Sequence, residues 1–215
     1  FRNCTALAQI DLPNSLTALH YNAFANCTGL TAVELPLALT GIAAGAFENC
    51  TNLEEVLLPI GWRTLLGTNN GTNWSDGNDV YTSPFIGCTK LTTLTVPEEI
   101  TALPKHAFRK QTSLTSVTLP ETMISIGAYA FHNCKYLETL TLPSTLTQVD
   151  EMAFYNSDAL ETVTFASGAL KPSLWLESLC AFAECEKPQH IIYRDAILAK
   201  TKEGQLLPME EYPHA

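Results

Sequence analysis

Seven cysteines and five histidines are the residues of this 215-residue chain most able to do chemistry, as metal ligands, nucleophiles or disulfide partners. Their spacing argues against each use. The tightest grouping, Cys180 and Cys185 with His190, is too irregular for a zinc site, whose ligands come in close pairs. His20, His106, His132 and His190 stand at unrelated spacings, and Cys134, two residues from His132, belongs to the recurring set of cysteines expected to be buried. Paired carboxylates and a phosphate-cradling glycine loop are also missing from the sequence. No enzymatic activity, metal or cofactor is expected.

What the cysteines mean follows from where they recur. Phe1, Phe24, Phe47, Phe85, Phe108, Phe131, Phe154 and Phe182 mark a period of 23 residues, broken only by fifteen extra residues after Phe47 and five after Phe154. Three residues after these phenylalanines come Cys4, Cys27, Cys50, Cys88, Gln111, Cys134, Ser157 and Cys185. Six cysteines therefore hold one structural position. Gln111 and Ser157 replace cysteine without the loss of a matching partner, and parallel Cβ vectors fit a disulfide torsion poorly, so the thiols read as free and buried.

Each unit continues with an apolar triplet at spacing three then two, as in Leu30, Val33, Leu35 and Leu137, Leu140, Leu142. The last alternation predicts a short strand with one face inward. Pro13, Pro36, Pro59, Pro97, Pro120 and Pro143 close six of these strands, because proline cannot donate to a ladder. A second apolar pair follows, for example in "SLTAL" (15 to 19). No unit can bury its apolar set alone, whereas stacked units share one core.

The combined pattern "LPxxLTxIxxxAFxNCTxLTxVxLP" resembles the BspA-like, Treponema-type leucine-rich repeats. The resemblance implies a repeat solenoid: a right-handed coil with a parallel β-sheet on one face, about eight 23-residue rungs and a C-terminal cap. The solenoid is expected over residues 1–165, with an insertion loop at about 66–83. Residues 166–215 are expected to form an irregular last repeat and a capping hairpin, "IIYRDAILAKTKEGQLL" (191 to 207) reading as two strands joined at residues 202–205. The resemblance further implies a secreted or cell-surface bacterial protein that adheres to host proteins or glycans, including extracellular matrix. The alternative is a spacer that presents another domain.

Composition narrows the partners. A net charge of −10 disfavours nucleic acid and anionic lipid, and no apolar run approaches a membrane-spanning length. The chain opens at Phe1 as an ordinary repeat unit, which reads as a cut inside a larger protein. The sequons at Asn3, Asn26 and Asn49 belong to the repeat, where asparagine is expected to satisfy backbone groups at the turn before the strand.

The insertion, "LGTNNGTNWSDGNDVYTS" (66 to 83), is too polar for the core. Trp74 and Tyr81 within it are candidate ligand contacts with Asp76, because interfaces favour anchored aromatics. Calcium held by Asp76, Asn78 and Asp79 is disfavoured by the irregular order of these residues. On the neighbouring strands the outward positions Glu34, Glu55 and Leu57 complete the candidate surface, and the later strands offer Thr93, Thr95, Ser116, Thr118, Thr139 and Thr141.

Overall fold

The computed structural model describes residues 1–62, 64–66, 83–165, 181–182, 190–193, 196–200 and 206–208, with side chains for 1–62, 83–164 and 181–182. Its strands are short and mostly come two to a coil. In chain order they are β1 (Ala18–Leu19), β2 (Ala32–Glu34), β3 (Gly41–Ala43), β4 (Glu55–Leu57), β5 (Thr64–Leu66), β6 (Thr93–Thr95), β7 (Ala102–Leu103), β8 (Ser116–Thr118), β9 (Ser125–Ile126), β10 (Thr139–Leu142), β11 (Gln148–Val149), β12 (Thr162–Phe165), β13 (His190–Tyr193), β14 (Ala196–Lys200) and β15 (Leu206–Pro208). Among the described residues no helix is long and apolar enough to cross a membrane.

The phenylalanines form one continuous stack of eight rings. Successive centroids lie 5.0 to 6.4 Å apart with interplanar angles of 3° to 18°. Their spacing is close to that of adjacent strands, so coils in register bring like rings into offset contact. The backbone holds this corner: the N–H groups of Phe24, Phe47, Phe108, Phe131 and Phe154 donate to the carbonyls of Ala46, Pro84, Ala130, Ala153 and Ala181 in the next coil, at 2.7 to 2.8 Å.

Two residues after the phenylalanine the chain turns through the left-handed region. Asn3, Asn26, Asn49, Lys110, Asn133, Asn156 and Gly87 have φ between 55° and 76°. A second such position, two residues before the phenylalanine, is filled by Asn22, Gly45, His106, Tyr129 and Met152. Asparagine and glycine tolerate this geometry best, which explains the recurring asparagine. Its side chain has a further role. Asn26 Nδ2 donates to Asn3 Oδ1 at 2.9 Å and Asn49 Nδ2 to Asn26 Oδ1 at 3.2 Å, and Asn156 Nδ2 donates likewise to Asn133. The asparagines thus bond one another up the stack, not the local backbone as the sequence reading expected. Gly87 interrupts this ladder, and a Cβ there would fall on the Asn49 side-chain oxygen.

The prolines close each strand and start the next turn. Leu16, Leu39, Trp62, Ile100, Met123 and Leu146 each donate to the carbonyl of the proline three residues earlier, at 2.9 to 3.2 Å. This turn leads into the second apolar pair, which forms a parallel array of its own. One piece is ordered β1-β3-β5 and another β11-β9-β7.

Three features depart from the sequence reading. The first unit contributes Leu7, Ile10 and Leu12 as partly buried residues packed against the core, but no strand is present at 9–11. The principal sheet is two sheets: β2-β4, and a seven-stranded sheet ordered β15-β14-β13-β12-β10-β8-β6. At its far end β13 joins β12 in parallel, then β14 and β15 add antiparallel, so the 191–207 segment holds three strands instead of two.

Truncation of a central ring tests the stack. Phe47→Ala or Phe131→Ala, both at 0% exposure, is expected to cost about 3–5 kcal/mol in urea unfolding. Phe1→Ala, at a ring 67% exposed, is expected to cost less than about 1 kcal/mol.

Candidate binding surfaces

The strand face is set by period-two alternation. In β2, β4 and β6 the central residue is buried and both flanking residues are exposed. Glu34 and Leu57 are in direct register, as are Ala32 and Glu55. The two carboxylates are therefore diagonal, which avoids like charges directly opposed across strands. Leu57 is half exposed beside them. Farther along, Thr93 pairs with Ser116 and Thr95 with Thr118, and Thr139 and Thr141 continue the hydroxyl columns. The structure brings Glu34, Glu55 and Leu57 together on one face. Trp74, Asp76 and Tyr81 lie outside the described residues.

The thiols are donors. Cys27 Sγ reaches the Phe1 carbonyl at 3.1 Å, Cys50 reaches that of Phe24 at 3.1 Å, Cys88 that of Phe47 at 3.2 Å and Cys134 that of Phe108 at 3.3 Å. Ser157 Oγ makes the same bond to Phe131 at 3.1 Å. A hydroxyl thus serves where the thiol does, and the position requires a small buried donor. All four of these thiols and that of Cys4 are unbridged. Burial raises the Cys27 and Cys134 thiols above their ordinary range, which keeps them protonated and unreactive. Gln111 cannot copy the bond and instead donates to Ser113 Oγ at 2.7 Å, whose hydroxyl bonds the Cys88 and Leu91 carbonyls at 2.9 Å. Among the described residues no group of three or more His, Cys, Asp or Glu side chains is placed to hold a metal ion.

Sequence spacing concealed a second column on the turn edge. His106 stacks on Tyr129 at 5.1 Å, Tyr129 meets His132 at 5.5 Å, and His132 stacks on Tyr155 at 5.0 Å. The Arg109 guanidinium lies 5.9 Å from the Tyr129 centroid. These residues sit either two before or one after a phenylalanine, and the two left-handed turns fold these phases onto one edge. A comparison of the two phases across units would have revealed the column. Burial lowers His106 to about 4, with Arg109, His132 and Lys105 contributing in the same sense.

The insertion leaves a seam. The turn edge crosses it intact: Phe47 stacks on Phe85 at 5.5 Å, and Asn49 N–H reaches the Ile86 carbonyl at 2.9 Å. Neither strand array crosses it, since β4 and β6 belong to different sheets, as do β5 and β7. In four other units the residue just before the strand donates to the preceding coil, as Thr115 does to Thr92 at 2.8 Å, but Thr92 N–H turns back to the Lys90 carbonyl of its own coil at 2.9 Å. An exposed ion pair, Lys90 to Glu54 at 3.1 Å, spans the gap near the surface. Beyond it Phe85 N–H bonds Ser83 Oγ at 3.1 Å, and the step from Phe85 to Phe108 widens to 6.4 Å. Trp62 fills the phase held elsewhere by leucine, isoleucine or methionine and meets Phe108 edge-on at 5.7 Å.

A groove of about 240 Å³ opens here, lined by Ile60, Trp62 and residues 99–104.

A profile of the BspA type leucine rich repeat region matches residues 1–67 and 78–198, in six copies. Among solved structures the chain is similar to a leucine-rich repeat protein from Bacteroides ovatus, at 24% identity and TM-score 0.48 over 89% of this chain and 56% of that one. It is similar to the T. pallidum leucine rich repeat protein, at 21% identity and TM-score 0.43 over 84% of this chain and 74% of that one. A leucine rich cell surface protein from Faecalibacterium prausnitzii gives 21% identity and TM-score 0.46 over 96% of this chain and 53% of that one. The chain thus spans only about half the length of the first and third of these. No curated protein matches it.

Two measurements follow from the thiol ladder and the turn edge. Cys50→Ser keeps a donor to the Phe24 carbonyl and is expected to change urea stability by less than about 1 kcal/mol, whereas Cys50→Ala removes that bond, leaves the carbonyl only the Cys27 N–H at 3.2 Å and opens a small void, at a cost of about 1–2 kcal/mol. His106 has a folded pKa below the unfolded value, so its contribution is full above about pH 6.5 and is lost as pH falls toward 4. Urea unfolding between pH 7.5 and 4.5 is expected to lose on the order of 2 kcal/mol more in the wild type than in His106→Asn, whose side chain suits the left-handed backbone.

Proposed function

The chain belongs to the BspA-type leucine-rich-repeat family, and from that premise we propose that it is a non-catalytic binding protein, working at or outside a bacterial cell surface, that adheres to host proteins or glycans. The single observation that carries this reading is the strand face. Strands at fixed spacing hold Glu34, Glu55 and Leu57 at one end and columns of threonine at the other, on a backbone fixed by its core. An array of this kind meets a partner with little ordering of its own side chains, because short threonine and β-bonded backbone have little freedom to lose. The acidic end selects basic groups, and the hydroxyl columns suit partners rich in hydrogen-bonding groups, such as glycans or extended polypeptide. Trp74 and Tyr81, with Asp76, supply the contacts of the insertion in this reading.

The test is binding to a panel of matrix proteins and glycans by the wild type, by a variant lacking 67–81 and by Glu34→Lys with Glu55→Lys, each checked for fold by circular dichroism. Charge reversal is expected to weaken a basic ligand about fivefold or more, and loop deletion is expected to weaken it further. No binding to any panel member by the wild type would sink the adhesion reading and assign the chain the role of a spacer.

A further inference from the structure

We infer that the two coils preceding the seam carry a docking ridge for a cationic, amphipathic polypeptide segment, in which lysine or arginine is followed by a pair of large apolar side chains. Its basis is a local exception to the repeat. The residue after the strand-closing proline stands at the corner of the turn, and successive coils place Asn14, Leu37, Ile60, Glu98, Glu121 and Ser144 there. Only Leu37 and Ile60 are apolar, and they are 68% and 38% exposed. The two corners lie directly over one another, since a Cβ at Gly61 would stand 3.1 Å from the Leu37 carbonyl. Leu57, 50% exposed, occupies an outward strand phase that is acidic or threonine in every other described coil. Single exposed leucines are ordinary, but three large apolar side chains on adjoining coils, at phases polar elsewhere, mark a surface that meets a partner.

Charge names the occupant. Between Arg2 and Arg63 the chain has five carboxylates, Asp11, Glu34, Glu48, Glu54 and Glu55, and no lysine or arginine. Glu54 is paired with Lys90, but the exposed carboxylates of Glu34 and Glu55 have no hydrogen bond or ion pair among the described residues. A second copy docked face to face would set like charges together, as would an acidic glycan, and a neutral glycan would leave the carboxylates unmatched. The rows fix the order of the partner's groups. Along the strands Ala32 pairs with Glu55 and Glu34 with Leu57, about 7 Å farther on, and the corner of Leu37 and Ile60 follows. A segment laid along the strands therefore meets carboxylates first and apolar side chains last. The inference rests on the strand-face reading for Glu34 and Glu55, and extends it by adding the corner and by choosing polypeptide over glycan.

Titration of the ¹⁵N-labelled full chain with acetyl-Lys-Ser-Lys-Ser-Leu-Leu-amide tests this directly. The backbone resonances of residues 32–37 and 55–60 are expected to shift, and those of residues 116–142 to stay in place. Replacing both leucines of the peptide by serine is expected to weaken it about fivefold or more, and replacing both lysines by glutamate to abolish the shifts. In the protein, Leu37→Ser with Ile60→Ser is expected to match the first loss, and Glu34→Gln with Glu55→Gln to weaken the lysine peptide about threefold. The peptide series makes the same comparison on the wild-type chain, so it decides the matter should either double variant fail to fold. Equal binding of the leucine and serine peptides would overturn the ridge and leave the acidic strand-face reading standing. Equal binding of the lysine and glutamate peptides would overturn both. No shift at the peptide's solubility limit would also overturn the ridge, as would movement of the same resonances with protein concentration alone, which would assign the surface to a second copy of the chain.

Discussion

The structure depends on one constraint: coils must repeat at the spacing of a β-sheet, so that polar groups left open within one coil can find partners in the next. The phenylalanine corner is where this is tightest. The ring stacks on its equivalent, its N–H reaches the following coil, and its carbonyl receives the thiol of that coil. Letters recur because each satisfies the same group one step away. At this corner a residue serves through the bond it makes to its neighbouring coil as well as through its place in its own unit. That is why serine stands in for cysteine at 157 with the same acceptor geometry, and why glutamine at 111 needs Ser113 to complete the connection.

The insertion shows what the arrangement can release. Fifteen additional residues enter where a coil passes from its second strand to the next phenylalanine, and the turn edge closes over the join as though nothing had intervened. Both strand arrays give way instead. Their hydrogen bonds are renewed at each coil, so they can stop and restart, whereas the aromatic stack is a packing feature whose interruption would leave a void in the core. Trp62, larger than the aliphatic residues of its phase, sits at this join and reaches the next aromatic ring edge-on.

Much of this was legible in the letters. The period, the buried phenylalanines, the unbridged thiols and the proline-terminated strands all follow from composition at a fixed phase. What was not legible is chemistry between units at different phases. The His106, Tyr129, His132 and Tyr155 column joins positions on either side of a left-handed turn, and the asparagine ladder needs the same turn to aim its amides along the axis. The missing strand of the first unit and the split sheet are also hidden, because Leu7, Ile10 and Leu12 spell the same triplet as the units that do form strands. A strand is a relation between two segments, and no single segment records whether its partner is in register. The strand-face residues Glu34, Glu55 and Leu57 were readable because alternation in a strand is local.

The seam also gives the rod a mechanical grain. Load applied along its axis is shared at other described junctions by the turn edge and at least one strand array, but between Phe47 and Phe85 it falls, among the described residues, on the turn edge, the Thr89 hydroxyl bond to the Thr51 carbonyl and one surface ion pair. Tension should therefore part the coils there first, peeling from the strand side while the aromatic spine serves as the pivot.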